Sequence, residues 1–149
     1  MRLTDDLSTT PIYKAMGQIE AFLASSPLPK TVLELVKLRV SQINGCAFCV
    51  DMHSHDLKKD GEADERLWAV AVWREAPFFT EQERAALDLA EAATRLDEHG
   101  VPDEVWEVAA KHFDEETLFA LVAAVAQINA WNRYGVTLRL VPGPGRSRH

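Results

Sequence analysis

Apolar residues recur at the spacing of an α-helix along most of the chain, and this pattern restricts the folds open to it. Residues 10–26, 31–45 and 114–135 each carry apolar side chains three or four positions apart. Proline, glycine or the pair Asp60–Gly61 separates neighbouring segments. No segment shows the strict apolar–polar alternation of a convincing strand. The sequence therefore predicts an all-α bundle of about six to seven helices, without significant sheet.

Signals for helix ends support this prediction. Thr80 and Glu83 have capping-box spacing, Pro102 suits a first helical position, and Asp114 suits an N-cap. We expect one helix over residues 80–100, closed by Gly100, and a long helix that begins after Asp114.

Two segments, residues 67–73 and 118–131, are apolar on nearly every face. A helix of this kind must be covered, either in the core or by another subunit. We therefore expect a homo-oligomer. The four tryptophans are expected in the core or at an interface: Trp68, Trp73, Trp106 and Trp131.

The length of 149 residues suits one main domain. We expect a helical N-terminal extension over residues 1–26, a main helical domain over residues 27–140, and a disordered tail over residues 141–149, which is rich in glycine and proline.

The charge and hydropathy of the chain exclude several classes of partner. The net charge is −7 and no basic stripe is present, so nucleic acid is not an expected partner. No uninterrupted apolar run approaches the roughly 18 residues of a membrane span. The N-terminus lacks the apolar segment of a secretory signal. We expect a cytoplasmic protein that binds no membrane.

The stretch NGCAFCVDMHSH, residues 44–55, holds the only two cysteines, Cys46 and Cys49. A C-x-x-C pair can bind a metal, form a structural disulfide or act as a redox centre, and in a reducing compartment a static disulfide is the least common of the three. On a helix, His53 follows Cys49 by one turn and shares its face, whereas His55 lies about 240° round the axis from Cys49.

A redox dithiol fits this stretch better than a metal. Zinc needs four ligands, and three from one helix are awkward; no second C-x-x-C is present, and the remaining histidines are isolated. Cys46 at a helix N-terminus would be favoured as a thiolate. His53 could accept the Cys49 proton, directly or through a water. We expect no metal and no other cofactor.

Glu34 is open to two interpretations from the residues alone. It can be a surface carboxylate paired with Lys37 or Lys30, or it can orient His53 across the packing of two helices. The sequence of one chain does not decide between these two interpretations of Glu34.

The spacing Glu34, eleven residues, Cys46, two residues, Cys49, three residues, His53 resembles the E-x11-C-x2-C-x3-H signature of the alkylhydroperoxidase D-like (AhpD-like) family, within the carboxymuconolactone decarboxylase superfamily of all-α proteins. The segments WREAPFFTEQERAALDLAEAAT and INAWNR are similar to later parts of that family. The resemblance covers about residues 27–135.

This resemblance implies a thiol-dependent alkyl hydroperoxide reductase in antioxidant defence. It implies Cys49 as the peroxidatic thiol, Cys46 as the resolving thiol, His53 as proton acceptor and Glu34 as the residue that orients His53. The substrates would be an organic peroxide or hydrogen peroxide and a dithiol reductant, either a protein or of lipoyl type. Members are typically trimers or hexamers.

Some well-known members carry a histidine immediately before the second cysteine, where this chain has Phe48. Phe48 either lines an apolar pocket for an organic peroxide or packs in the core. The replacement of that histidine by Phe48 favours an alternative function, a protein dithiol–disulfide oxidoreductase with little peroxidase activity. A carboxymuconolactone decarboxylase-like enzyme is a further alternative, although decarboxylation needs no redox pair. A purely structural role with inert thiols also stays open.

Overall fold

A computed structural model of the chain describes residues 1–3, 6 and 8–143. These residues form seven α-helices and one short 3-10 helix at Val70–Val72, with no strand among them. The α-helices are α1 (Pro11–Ser25), α2 (Lys30–Ile43), α3 (Ala47–Lys59), α4 (Asp64–Ala69), α5 (Glu81–Thr94), α6 (Asp103–His112) and α7 (Glu115–Leu138). The predicted all-α fold is confirmed.

Local capping determines where the helices begin. The Thr80 hydroxyl accepts the Glu83 N–H at 3.1 Å, and the Glu83 carboxylate accepts the Thr80 N–H at 2.8 Å, which completes the predicted capping box of α5. The Asp114 carboxylate accepts the Thr117 N–H at 2.8 Å and begins α7, as predicted.

The predicted helix over residues 80–100 is too long, because α5 ends at Thr94. Arg95 leaves the helical region of φ and ψ, and the Asp97 carboxylate accepts the His99 N–H at 2.8 Å in the turn that follows. An Asp side chain that binds the backbone two residues on favours a turn over another helical turn. Gly100 lies beyond this turn with φ +70.

Residues 63–76, which include the apolar segment 67–73, do not form one continuous α-helix. The α-helix α4 ends at Ala69 and a 3-10 turn follows it. The guanidinium of Arg84, on α5, donates to the carbonyls of Trp73, Arg74 and Ala76 at 2.8–3.3 Å. These carbonyls thus receive hydrogen bonds from a neighbouring helix, and the Trp73 carbonyl also accepts the Ala76 N–H at 3.3 Å.

Helices α2 and α7 lie at the centre of the bundle. The largest core cluster joins residues of α1, α2, α5, α6 and α7, and a second cluster packs α2 against α3, α4 and α5. Val36 and Val40 of α2 and Leu121 and Ala124 of α7 are fully buried. Because α2 is held on both sides, residues on it and on the adjoining turn have fixed positions.

Helix α1 packs on α7 as part of the same bundle, since the rings of Tyr13 and Trp131 meet edge to face with their centroids 5.2 Å apart. The division of the chain at residue 26 stays a prediction. Residues 144–149 of the predicted disordered tail lie outside the described residues.

Several apolar side chains remain exposed on this single chain. Trp68, Val72 and Phe119 belong to the segments that are apolar on nearly every face, and Ile12 and Phe22 lie on α1. Trp73 and Trp131 are buried, as expected, whereas Trp106, like Trp68, is exposed on the single chain. The expectation of a homo-oligomer, which would cover the exposed residues, stays a prediction. In the described part of the chain, no helix combines the length and hydrophobicity needed to cross a bilayer.

Candidate active site

The turn between α2 and α3 places both cysteines. Gly45 adopts φ +69, a left-handed conformation that glycine tolerates best, and Cys46 follows it as the N-cap of α3. The Cys46 sulfur accepts the Cys49 N–H at 3.3 Å. Cys46 therefore lies at a helix N-terminus, as the sequence predicted.

Three asparagines fix this turn against α7. The Asn44 side chain donates to the side-chain oxygens of Asn129 and Asn132, at 2.9 Å each, and Asn132 donates to the Ser41 hydroxyl at 3.0 Å. These bonds are buried or partly buried between helices, so Asn129 and Asn132 connect α7 to the turn that holds the cysteines.

Cys46 and Cys49 are joined by a disulfide, and their Cα atoms are 5.3 Å apart. Each residue is only 1% exposed. Phe48, Met52 and Leu140 surround them with apolar side chains. The structure thus describes the oxidised state of a shielded dithiol pair.

His53 lies one turn beyond Cys49 on α3, and its Nδ1 is 2.8 Å from the Glu34 Oε2 on α2. The side chains of His53 and Glu34 are 5% and 12% exposed. The structure therefore places Glu34 against His53 across the helix packing, and it also places the Lys37 ammonium 3.8 Å from the other Glu34 oxygen. Both contacts considered for Glu34 are present, and its role in orienting His53 for catalysis stays a prediction. The His53 Nε2 is buried and has no hydrogen-bond partner among the described residues.

The ionisation of Glu34 reflects opposing influences. Burial raises the pKa of its carboxyl, but the hydrogen bond and charge of His53 and the charges of Lys37 and Lys30 lower it. The net result is a pKa below the ordinary value, so Glu34 is a carboxylate at neutral pH. A carboxylate can only accept, so the Nδ1 of His53 carries the hydrogen; in the neutral form of the ring, Nε2 then has a free lone pair.

A cavity of about 560 Å³ opens beside this pair. Glu34 and His53 line it on one side, and Glu20 and Leu23 of α1 line it on another. Neither cysteine lines the cavity, and Phe48 does not line it either. Phe48 packs beside the cysteines instead, and its contact with a substrate stays a prediction.

Glu34, His53 and Asp56 are the described residues whose ligand atoms approach the spacing of a metal site, within 4.8 Å of one another. Glu34 and His53 already hydrogen-bond to each other, which occupies the Nδ1 of His53 and one oxygen of Glu34. His55 is exposed, next to Asp51, and lies apart from the site, as its helical position predicted.

Gly135 is a site residue that the sequence analysis missed. A Cβ atom at this position of α7 would lie 2.6 Å from the Cys46 sulfur and 3.3 Å from the Cys49 sulfur. The backbone of α7 therefore closes one side of the disulfide, and only glycine allows this approach. The signal in the sequence is a glycine inside a long helical pattern, which usually has a packing reason.

We expect Gly135→Ala to destabilise the oxidised protein by about 1–3 kcal/mol, because the methyl group must displace a sulfur in a packed core. Urea unfolding of the oxidised variants measures this. Gly17→Ala is the matched control, since a Cβ at that helical glycine has no atom within 4 Å. An oxidised Gly135→Ala protein as stable as the wild type would contradict the packing.

Comparison with known proteins identifies the family. The model of the carboxymuconolactone decarboxylase family matches residues 11–92, which is more than half of the chain. The chain belongs to this family. The uncharacterized protein YdfG of Bacillus subtilis is 42% identical over 84% of this chain and 85% of its own length.

The AhpD-like character within the family is also supported. A crystal structure from Agrobacterium tumefaciens has a TM-score of 0.90 and 39% identity over 95% of this chain and 97% of that one; its protein has unknown function, with antioxidant defence protein AhpD as the suggested role. The alkyl hydroperoxide reductase AhpD of Methylocella silvestris is 41% identical over 40% of this chain and 34% of its own length. The family resemblance drawn from the sequence is confirmed.

Proposed function

We propose that the chain is a thiol-dependent peroxidase that reduces alkyl hydroperoxides through a Cys46–Cys49 dithiol cycle. The observation that carries this proposal is the His53–Glu34 pair, buried one helical turn from a buried disulfide-bonded C-x-x-C. A dithiol that only stabilised the fold would not require a buried base with a free nitrogen beside it. The likeness to AhpD supports the same activity.

The cycle has three balanced steps. The Cys49 thiolate attacks the terminal oxygen of ROOH, the O–O bond breaks, and Cys49 becomes a sulfenic acid while RO⁻ leaves. The Cys46 thiol then attacks the Cys49 sulfur, forms the disulfide and releases water. A dithiol reductant exchanges with the disulfide, is itself oxidised to a disulfide, and returns both cysteines to thiols.

His53 and Glu34 together move the proton that the Cys49 thiol loses in the first step. His53 accepts the Cys49 proton at Nε2 and passes it to the departing RO⁻, which leaves as ROH. Glu34 holds the ring through Nδ1 and stabilises the charge that forms on it. No metal or organic cofactor takes part in this cycle.

We also propose a compartment, an electron donor and an oligomeric state for the enzyme. A reversible dithiol is maintained in a reducing compartment, so we place the protein in the cytoplasm. The electron donor is a dithiol, either a protein or of lipoyl type. The exposed apolar residues on α1, α4 and α7 are assigned to contacts in a homo-oligomer, a trimer or a hexamer.

A second candidate is a protein dithiol–disulfide oxidoreductase. The observation that favours it is Phe48, which packs against the cysteines at the position where some AhpD-like proteins place a histidine. An apolar residue there removes one possible proton carrier from the peroxide reaction. It leaves disulfide exchange possible, because exchange needs only the thiolate and access to it.

Steady-state assays separate the two candidates. With dihydrolipoamide as reductant, the peroxidase should consume cumene hydroperoxide catalytically and reduce the disulfides of insulin slowly. Fast reduction of insulin, with peroxide consumption no faster than in a protein-free control, would overturn the peroxidase and select the oxidoreductase. If a variant that lacks both Cys46 and Cys49 retained full peroxide consumption, both candidate functions would be wrong.

A further inference from the structure

A buried line of charged side chains continues from His53 through Glu34 to helix α1. The Lys37 ammonium lies 3.8 Å from the Glu34 Oε1, and it donates to the Glu20 Oε2 at 2.7 Å. The other oxygen of Glu20 accepts the Trp131 indole N–H at 2.9 Å. Four charged or ionisable groups thus follow one another from α3 to α1.

The Lys37 side chain is held in this line of charged groups. Its side chain is only 7% exposed, and an ammonium removed from water is stable only beside compensating carboxylates. Glu20 supplies the direct hydrogen bond and is itself anchored by Trp131. Lys37 therefore presents a fixed positive charge to the Glu34 oxygen that His53 does not use.

The charge state of Glu34 decides whether His53 can act as a base. An ionised Glu34 accepts from Nδ1 and leaves the lone pair on Nε2, where a proton can be taken up. A protonated Glu34 can donate to Nδ1 instead, and the neutral ring then carries its hydrogen on Nε2. In that tautomer Nε2 cannot accept the Cys49 proton.

We propose that Lys37, held by Glu20 of α1, is a positioning residue that keeps Glu34 ionised and so keeps Nε2 of His53 available as the base. This inference rests on the proposed use of His53 and extends the relay into the N-terminal helix. Because Glu20 lies within residues 1–26, this segment then helps to keep Glu34 ionised.

Other charged groups face Glu34 from each helix around it. Lys30 lies on α2 and is largely exposed, so solvent screens its charge. The acidic groups oppose ionisation: Asp56 lies on α3 and Glu20 on α1. Lys37 is the buried cation among these groups, and its removal should therefore raise the pKa of Glu34.

The test follows Glu34 by carbon-13 NMR in the oxidised full-length protein, with Glu34→Gln to assign the carboxyl signal. We expect Lys37→Met to move the Glu34 titration to higher pH and Lys37→Arg to leave it near the wild-type position. Nitrogen-15 shifts of His53 should report the hydrogen on Nδ1 in the wild type, and a growing share of the Nε2–H tautomer as Lys37→Met is acidified.

Lys30→Met is the matched control, because it removes a lysine near the same carboxylate that is exposed rather than buried. Its shift should be clearly smaller than that of Lys37→Met. A Glu34 titration that is unchanged in Lys37→Met, or moved equally by both variants, would overturn the proposal. Because this readout needs no peroxide, it stands even if the peroxidase assay fails.

A kinetic readout separates this role from a structural one. Below the Glu34 pKa of Lys37→Met, the ionised fraction of Glu34 falls roughly tenfold for each pH unit. The ratio of variant to wild-type rate of thiol oxidation should therefore fall as the pH is lowered. A ratio that is reduced but constant with pH would mean that Lys37 only supports the fold, and would overturn the proposal.

Discussion

Cys49→Ser is expected to abolish the reaction with peroxide, while Cys46→Ser keeps the first step and stops there. A serine hydroxyl is not ionised at neutral pH and is a far weaker nucleophile than a thiolate, so the O–O bond stays intact without Cys49. In Cys46→Ser no second thiol is present, so Cys49 remains a sulfenic acid. Each variant is the control for the other.

Stopped-flow mixing with cumene hydroperoxide measures the rate, and dimedone labelling followed by mass spectrometry locates the sulfenic acid. We expect one equivalent of adduct on Cys49 in Cys46→Ser and none in Cys49→Ser. The opposite pattern, with the adduct on Cys46, would contradict the assignment. It would mean that the helix N-terminus at Cys46 activates its thiol more than His53 activates Cys49.

His53→Gln is expected to slow the oxidation of Cys49 at neutral pH by about 10²–10⁴-fold, the usual contribution of a general base. Glutamine retains a polar side chain of similar size, but it does not take up the thiol proton. The loss should become smaller at high pH, where hydroxide ionises the thiol without help. The stopped-flow rate as a function of pH measures both effects.

His55→Gln is the matched control for this variant. His55 lies on the same helix, is exposed, and contacts Asp51 rather than the cysteines. Its replacement should leave the rate within about twofold of the wild type, as is usual for a surface change. Equal rates for His53→Gln and the wild type at neutral pH would remove His53 from the mechanism.

The sequence was sufficient for the parts of the fold that depend on local interactions. The capping box of Thr80 and Glu83 and the N-cap of Asp114 use neighbouring residues only, and both are present. The end of α5 at Thr94 and the break after Ala69 were not predicted. The first depends on the turn chemistry of Asp97, and the second on a guanidinium that arrives from another helix.

In the candidate site, too, some features follow from local sequence and others need the assembled fold. The position of His53 one turn from Cys49 follows from helix geometry. The contact of Glu34 with His53 depends on the packing of α2 on α3, and only the resemblance to a family indicated it in advance. Gly135 and Glu20 lie on distant helices, and no local pattern connects either of them with the cysteines. Contacts of this kind appear only when the helices are assembled.

The most direct test of the central claim is a single-turnover reaction of the fully reduced wild-type protein with cumene hydroperoxide. Stopped-flow detection, thiol counting and peptide mass mapping follow the same sample. The account predicts the rapid loss of two thiols per chain and a Cys46–Cys49 disulfide within one chain. Slow or absent thiol loss, with both thiols still open to alkylation, would contradict the peroxidase mechanism.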